Sequence, residues 1–308
     1  NANKKDTLFW NKIRPIPLTI EESNDYIKKD ILQTKKKSKP YLDSIDAKGN
    51  KLGKLDPIMG YKYSNSFQKW EIEYRGLLRG LSFNTVQGWT LQTAVNYIKR
   101  DDDKRTFTTI RTNFTYGLAE QKFRGDITYT NKFSNLNQSE IQVSGGSMAS
   151  QLSRVEQINP MINSTSTLFF KHNYIKLYER NFANLQFKRE IVNGLMGFFT
   201  LDYSERKPLW NHTDYVILKR EKPYTSNNPL LPYDYFTPVI TKHNLVKASL
   251  FTQIKFGQEY WMRPDGKFNL RDDKYPVIQL GYEKGFAGSE AKYNFDYVNA
   301  RVNYDVTL

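Results

Sequence analysis

The chain has 308 residues, of which 39% are hydrophobic and 25% charged, a composition typical of a folded protein rather than a disordered polymer. Its net charge of +14 favours an anionic partner, such as nucleic acid, phospholipid headgroups or lipopolysaccharide phosphates, although a basic surface that only maintains solubility fits equally well. It contains no cysteine, which excludes disulfides, thiolate catalysis and cysteine-based metal sites.

The hydropathy of the chain excludes one kind of membrane segment. The mean hydropathy is −0.68, and no run approaches the ~18 apolar residues that a transmembrane helix needs. Strands of a membrane barrel are apolar on one face only, so these observations do not exclude such strands. No basic and then apolar signal segment follows Asn1, so we expect either a cytosolic chain or the mature or excised part of an exported one.

Residues 1–60 are predicted to form a helical or irregular lead-in to a β domain. The sequence TIEE at residues 19–22 is a capping box, which predicts a helix that begins there and ends at Pro40. A narrow apolar stripe along this helix consists of Ile20, Ile27 and Ile31. Its remaining surface is rich in lysine, at Lys28, Lys29, Lys35, Lys36 and Lys37. We therefore expect the helix to dock by one edge and to present a basic surface.

From Trp70 onward, apolar and charged residues alternate with a period of two, which predicts β-strands that are apolar on one face. The charged face is predicted to carry Glu71, Glu73, Arg111, Lys122, Arg124, Asp126 and Lys247. In a barrel these charges face the lumen, where pairing of the basic groups with Glu71, Glu73, Asp126 and Glu283 is favoured over a role in anion selectivity.

The clearest predicted strand is WTLQTAVNY at residues 89–97, which has an aromatic residue at each end of its apolar face. At ~3.3 Å per residue and a tilt of about 45°, it spans roughly 19 Å of the membrane normal, close to the ~25 Å apolar band of outer-membrane barrels. We predict an aromatic girdle that includes Trp89, Tyr97 and Tyr129.

Two apolar-alternating runs meet at Asn193-Gly194, within RNFANLQFKREIVNGLMGFFTLDYSERKPLWN. Because Asn-Gly tolerates positive φ at both central positions, this sequence predicts a β-hairpin with a two-residue turn. The acidic triplet at residues 101–103 predicts another short turn. By contrast, residues 209–243 and 160–167 are predicted to be long loops. About a dozen strands are expected in all.

No segment of the sequence supports catalysis or a metal site. GGSMA at residues 145–149 approximates a nucleophile elbow, but no helical period follows it, so a strand end or loop is expected. The three histidines, His172, His212 and His243, lack metal-ligand spacing and are expected at the surface or in loops. The acidic runs at residues 101–103 and 272–273 lack the calcium-loop pattern. We predict no catalytic residues, metal or cofactor.

Nucleic-acid binding requires basic and aromatic side chains on one surface. The alternation places Lys122 and Arg124 on the face opposite Tyr129, so nucleic acid is not expected as a partner.

The chain resembles a known protein family in several longer fragments: FWNKIRPIPLTIEE, KPYLDSID, LSFNTVQGW, NYIKLYERN and ERKPLWNHTDY. With them the chain resembles a Bacteroidota outer-membrane barrel family of unknown function, whose full-length members have an N-terminal carboxypeptidase-regulatory-like domain. That domain is absent here, and the final VNYDVTL lacks the terminal aromatic that ends most such barrels. The chain therefore looks like a piece of a longer protein, with a barrel open at one edge. The resemblance implies no catalytic residues.

These observations predict a mainly β protein: an antiparallel transmembrane β-barrel, incomplete in this chain, over residues 61–308, after a periplasmic helical lead-in at residues 1–60. We expect a non-enzymatic protein of the outer membrane that contacts lipid and lipopolysaccharide and serves transport or an envelope complex. Two alternatives stay open: an Omp85-like assembly or translocation barrel, and a soluble basic β-sandwich that binds polyanions.

Overall fold

The computed structural model describes residues 7–153, 157–219, 221–263, 266–270 and 274–304. The helices are α1 (Thr7–Ile13), α2 (Ile20–Lys37), α3 (Lys39–Gly49), α4 (Asp56–Met59) and α5 (Pro160–Phe170). None of the helices in these ranges is long and apolar enough to cross a membrane. The fold is mainly antiparallel β-sheet.

The strands begin directly after the first four helices. They are β1 (Tyr61–Asn65), β2 (Trp70–Tyr74), β3 (Ser82–Asn84), β4 (Gly88–Asp101), β5 (Thr106–Gly117), β6 (Lys122–Lys132), β7 (Glu140–Gln151), β8 (Leu177–Val192), β9 (Leu195–Pro208), β10 (His243–Lys255), β11 (Tyr260–Arg263), β12 (Gly266–Asn269), β13 (Val277–Ala287) and β14 (Phe295–Asn303). All but β11 and β12 form one 12-stranded sheet, in the order β1-β2-β4-β5-β6-β7-β8-β9-β10-β13-β14, with β3 paired to β4.

The register of the sheet sorts side chains into rows that cross neighbouring strands. One row contains Tyr63, Ile72, Tyr97, Ile110, Tyr129, Val143, Leu185 and Leu201. The adjacent row contains Glu73, Asn96, Arg111, Thr128, Ser144, Asn184, Asp202 and Lys247. Since successive residues of a strand point to opposite sides, one side of the sheet is an apolar face and the other a polar face.

Connections of different length separate the two ends of the sheet. The long connections 152–176 and 209–242 emerge at one end, which we call the long-loop end. The connections 102–105, 133–139 and 193–194 emerge at the opposite end, which we call the short-turn end, together with the longer connection between β10 and β13 that contains β11 and β12. The predicted short turns at residues 101–103 and 193–194, and the long loop after residue 209, are thus confirmed.

The predicted loop at residues 160–167 is instead part of helix α5. Asn159 caps this helix by accepting a hydrogen bond from the Met161 amide at 2.8 Å, and Pro160 occupies its first turn. Asn followed by Pro is a helix-start signal that the expectation of a loop did not use. The helix packs against β3, where the Ser164 hydroxyl accepts a hydrogen bond from the Phe83 amide at 2.7 Å.

The small hydrophobic core of the described residues lies at the long-loop end. It is formed by Val86, Ile175, Leu177 and Leu209. Asn163 is fully buried beside it, and its side-chain oxygen accepts hydrogen bonds from the amides of Tyr174 and Ile175 at 2.9 and 3.0 Å. The long loops are therefore folded onto the sheet through satisfied polar groups rather than through a large apolar core.

The capping box at Thr19 is confirmed. The Glu22 amide donates to the Thr19 hydroxyl at 3.2 Å, and the Thr19 amide donates to the Glu22 carboxylate at 2.9 Å. Pro40, however, does more than end α2, because after a break at Ser38 it lies in the first turn of α3. The isoleucine stripe of α2 is exposed and α2 has no buried residue, so the expected docking by that edge does not occur within the described part of the chain.

The two edges of the sheet differ. Beside β1, the Asn50 side chain at the end of α3 accepts from the Ser64 amide at 2.8 Å and donates to the Ser64 carbonyl at 2.7 Å. Asp46 accepts from the Ser66 amide at 2.7 Å. At the other side, β14 pairs with β13 alone among the described strands, and its residues after Phe295 are exposed. Helix α3 thus covers part of one edge, while the other edge is open.

The predicted Asn193-Gly194 hairpin is confirmed, with β8 and β9 paired antiparallel. Of the two turn residues, Gly194 has positive φ, at 81°, and Asn193 does not. A register irregularity between Glu190 and Val192 precedes the turn. The Asn193 side chain is held by its neighbours, since it donates to the Gln258 carbonyl and accepts from Lys267 at 2.9 Å. These contacts attach the turn to the β11–β12 hairpin and to Gln258 before it.

Candidate functional site on the polar face

The seven charges predicted from the alternation, Glu71, Glu73, Arg111, Lys122, Arg124, Asp126 and Lys247, share the polar face of the sheet. The three predicted girdle aromatics, Trp89, Tyr97 and Tyr129, share the apolar face. Tyr97 and Tyr129 both pair with Ile110, whereas Trp89 lies near the other end of β4. The register therefore separates the two sets as the sequence does, while their roles in a barrel stay predictions.

In water-soluble proteins the apolar face of a sheet is buried and the polar face is exposed. In this sheet apolar side chains are exposed and charged side chains are buried. On the apolar face, Ile127 is 52% exposed and Leu250 is 55% exposed. On the polar face, Arg124 is 2% exposed and Asp202 is 3% exposed. Charged groups are seldom buried unless they are paired, and contiguous apolar surface is seldom left open to water. The buried charged groups of the sheet thus lie on its polar face.

Arg124 is the centre of one ion-paired cluster. Its guanidinium makes two contacts with the Glu120 carboxylate, one of them at 2.9 Å, and lies 3.9 Å from Glu179. Lys122 donates to Glu179 at 2.6 Å. The expectation that these basic groups are paired is confirmed, but the partners differ from those expected. Glu120 lies four residues before Arg124, in the turn between β5 and β6, while Glu179 comes from β8.

The other predicted charges pair in part as expected. Lys247 lies 3.7 Å from Glu283, as expected, and 3.9 Å from Asp202, which the sequence analysis did not select. Glu71 pairs with Lys62 at 2.6 Å and with Arg100 at 3.2 Å, neither of which is among the expected partners. The alternation of apolar and charged residues predicts which side chains lie on the polar face. It does not predict their ion-pair partners, because these depend on the register of the neighbouring strand.

A polar cavity of about 350 Å³ lies on the same face where β7, β8, β9, β10 and β13 meet. Its charged lining residues are Arg180, Asp202, Lys247 and Glu283. Arg180 and the Asn184 amide both donate to one oxygen of Asp202, the amide at 3.3 Å. In the sequence Asp202 lies between Leu201 and Tyr203, which belong to the apolar face. The alternation therefore predicts that Asp202 lies on the polar face.

A second buried ion pair lies at the short-turn end. Lys267 of β12 donates to Glu190 at 2.6 Å, and both side chains are less than a tenth exposed. The Lys267 carbonyl accepts from Asn135 at 3.3 Å, and the Arg105 guanidinium lies 3.8 Å from the centre of the Phe268 ring. The β11–β12 hairpin therefore contacts the connections 102–105, 133–139 and, through Asn193, 193–194.

The segments in which the sequence showed no catalytic or metal site lie in several parts of the fold. GGSMA lies inside β7, so residues 145–149 form no elbow, and the expectation that they lie at a strand end or in a loop is wrong. His172 and His212 are in loops, but His243 is 2% exposed, against expectation, and stacks on Tyr293. Within the described ranges no group of three or more His, Asp or Glu side chains could hold a metal. The acidic pair at residues 272–273 lies outside the described residues.

Two titratable groups outside the strands have shifted pKa values. Burial lowers the pKa of the Lys176 ammonium to about 8. This ammonium donates to the Ser226 carbonyl at 2.6 Å and to the Thr225 hydroxyl at 2.8 Å. Burial also raises the pKa of the Tyr224 hydroxyl to about 12. Both groups hold the connection 209–242 at the long-loop end and take no part in the polar face.

Comparison with known proteins gives a family but no activity. Residues 55–308 match the C-terminal domain of a family of unknown function, DUF5686. Neither the curated proteins nor the solved structures contain a match to the chain. The match begins in the connection before α4 and includes every strand of the sheet.

Proposed function

We propose, from the premise that the chain belongs to the DUF5686 family of unknown function and contains its C-terminal domain, that this domain is a non-enzymatic membrane β-barrel or the larger part of one. The chain would reside in the outer membrane of a Gram-negative, Bacteroidota-like bacterium. Its apolar face would contact lipid and lipopolysaccharide, and its polar face would line a passage for solute or support an envelope complex. Residues 1–60 would form a periplasmic lead-in.

The observation that carries the proposal is the inverted exposure of the sheet. Open apolar side chains continue from strand to strand, including Tyr129, Val143, Leu201, Leu250 and Tyr282. Exposure of this apolar area to water would destabilise the protein by roughly 25 cal/mol per Å². Hydrocarbon chains would instead cover it, and the polar face would then be the face turned to water.

The same observation weighs against the soluble sandwich. A sandwich buries the apolar face of one sheet against a second sheet of similar size. In the described part of the chain the second sheet has two strands, and it contacts the short turns. The Omp85-like alternative is favoured by one feature, the open β14 edge, which would serve as a lateral seam.

A pair of adjacent cysteine substitutions tests the proposal, because the chain has no cysteine of its own. Leu201 and Thr200 are neighbours on β9 that point to opposite faces. In native membranes, we expect Thr200→Cys to react with a charged, membrane-impermeant maleimide and Leu201→Cys to be protected. Mass shift on a gel measures the labelled fraction of each variant.

The outcomes separate the candidate functions. Protection of Leu201→Cys in membranes, lost when the protein is denatured, supports the lipid-facing assignment. Equal labelling of the two variants, in a protein that is extracted by buffer without detergent, would overturn it and favour the polyanion-binding sandwich.

A further inference from the structure

Helix α2 carries an apolar stripe that no described part of the chain covers. Its three isoleucines, Ile20, Ile27 and Ile31, are each more than half exposed. At about 100° per residue, they fall within roughly 40° of the helix circumference and so form one continuous stripe. A contiguous apolar surface on an otherwise polar helix is typical of an interaction site. The stripe therefore indicates that α2 contacts a partner outside the described residues.

Lysines flank this stripe and continue to the end of the helix. Residues 28–37 contain five lysines and one aspartate. Lys28 and Lys35 lie about 60 to 80° from the centre of the stripe on the helix circumference. Within the described ranges neither has a carboxylate partner, whereas Lys29, on the opposite side of α2, pairs with Asp25 at 2.6 Å. The positive charge beside the stripe is therefore available to an anionic partner.

Helix α3 brings α2 to the short-turn end of the sheet. Asn50 at the end of α3 binds Ser64 of β1. Asp46, one turn earlier in α3, binds Ser66 in the turn between β1 and β2. This turn lies at the short-turn end, because β2 pairs with the part of β4 that leads into the connection 102–105. Followed backwards, α3 thus approaches the short-turn end, and α2 precedes and contacts it.

A phospholipid surface fits this pattern better than a protein groove. Helices that lie on membranes combine a polar, lysine-rich face with an apolar stripe that enters the boundary of the acyl chains. Lysines beside such a stripe extend their ammonium groups to the phosphates while their carbon stems cover apolar surface. Trp10 and Ile13 of α1 and Ile16 after it are exposed as well, and tryptophan favours the level of the headgroups. A bilayer, being broad and flat, can contact both helices at once.

We propose that α2 lies on the surface of a phospholipid bilayer that contains anionic headgroups. The three isoleucines insert at the acyl boundary, and Lys28 and Lys35 contact the headgroup phosphates. This attraction falls off within a Debye length, so the contact depends on anionic lipid and on salt. The inference goes beyond the proposed barrel and does not need it, because an amphipathic helix binds a bilayer whether or not the sheet crosses it.

A pair of cysteine variants tests which face of α2 meets lipid, because the chain has no cysteine of its own. Thr34 lies about 40° and Gln33 about 140° from the centre of the stripe, and both side chains are exposed. In the whole chain, Thr34→Cys and Gln33→Cys are each labelled with an environment-sensitive fluorophore. The labelled chain is reconstituted with vesicles of phosphatidylcholine, with or without phosphatidylglycerol, that contain a doxyl-labelled lipid as a quencher.

We expect the label at Thr34→Cys to shift to the blue and to be quenched in vesicles with phosphatidylglycerol. The label at Gln33→Cys should keep the emission of a water-exposed group. High salt, or the omission of phosphatidylglycerol, should reverse the shift. Equal spectra for the two labels, or the same shift in phosphatidylcholine alone, would overturn the proposal. A blue shift without quenching would also overturn it, because the stripe would then pack on protein.

Two neighbouring substitutions measure the apolar contribution in the Thr34→Cys chain. Ile31→Ser should lower the ratio of lipid-bound to free helix about tenfold, the loss of one inserted side chain. Leu32 is exposed too but lies about 120° from the centre of the stripe, so Leu32→Ser should change the ratio by less than about twofold. Equal effects of the two substitutions would contradict insertion of the isoleucine stripe.

Two double substitutions with the same change of charge measure the role of the lysines. Lys28→Gln together with Lys35→Gln should lower the ratio of lipid-bound to free helix about tenfold or more. Lys29→Gln together with Lys36→Gln, on the opposite side of α2, should lower it less. No loss from the first pair would show that the headgroup phosphates are not its partners.

The two proposals fail separately. If Leu201→Cys is protected in membranes but neither label on α2 is quenched by lipid, the barrel assignment stands and the membrane contact of α2 is wrong. If the label at Thr34→Cys is quenched but Leu201→Cys and Thr200→Cys react alike, α2 binds a bilayer that the sheet does not cross.

Discussion

At the scale of single residues, buried charges dominate the polar face. Arg124 is 2% exposed and has two carboxylate neighbours, Glu120 and Glu179, while Lys122 reaches Glu179 from a side chain that is 44% exposed. Removing a buried partner leaves the opposite charge uncompensated, whereas an exposed pair contributes little. The two basic residues on one strand therefore differ in their contribution to stability.

This difference gives a paired prediction. We expect Arg124→Met to lower the free energy of unfolding by about 3 to 5 kcal/mol. Lys122→Met also removes one positive charge, but it leaves Arg124 at 3.9 Å from Glu179, so the loss should be smaller, about 1 kcal/mol. Urea unfolding in detergent micelles, followed by heat-sensitive gel mobility, measures both. Equal losses for the two variants would show that the burial of Arg124 does not matter.

A second prediction at this scale concerns pH. Lys176 has a folded pKa of about 8, lowered by burial from the ordinary 10.5, so between these values the unfolded chain holds more protons than the folded one. The free energy of unfolding should therefore rise as pH increases from about 8 to 9.5. Higher pH is avoided, since the raised pKa of Tyr224 acts in the opposite direction above 10.

Lys176→Met is the control for this pH effect. It removes the titrating group, so its free energy of unfolding should rise less over the same interval. Limited proteolysis of the connection 209–242, which Lys176 anchors through Thr225 and Ser226, gives a local measure. A native chain whose loop becomes more sensitive to protease from pH 8 to 9.5 would contradict the prediction.

At the scale of elements, the β8–β9 hairpin depends on one glycine. Gly194 has a φ of 81°, and a Cβ atom there would lie 2.3 Å from the Lys255 carbonyl oxygen. We expect Gly194→Ala to destabilise the protein by about 1 to 3 kcal/mol. Gly49→Ala is the matched control, because nothing lies within 4 Å of its added Cβ. Unfolding midpoints compare the two, and a Gly194→Ala midpoint as high as the control would refute the strain.

Local sequence signals predicted elements whose determinants are close in the chain. The Thr19 capping box, the alternation along β4 and the hairpin at residues 193–194 are of this kind. The Lys267–Glu190 and Lys122–Glu179 pairs were missed, because the members of each pair are 77 and 57 residues apart in the chain. Such pairings depend on strand register, which a single sequence specifies only weakly.

At the scale of the whole molecule, the faces of the sheet were predictable and the cavity was not. Alternation assigns each strand an apolar and a polar side, so the seven predicted charges share one face. Arg180, Asn184 and Asp202 become neighbours only when β8 and β9 pair in one register. The mainly β, antiparallel class was therefore accessible from the sequence, whereas the site required the order and alignment of the strands.

The two edges of the sheet differ in how many backbone groups are free to pair with another strand. Along β1, the side chains of Asn50 and Asp46 already occupy backbone groups that another strand would need. Along β14, nine residues present an edge that no described strand pairs with. A further strand or a second copy of the chain would therefore find more unpaired backbone groups along β14 than along β1. We expect any extension of the sheet to begin at β14.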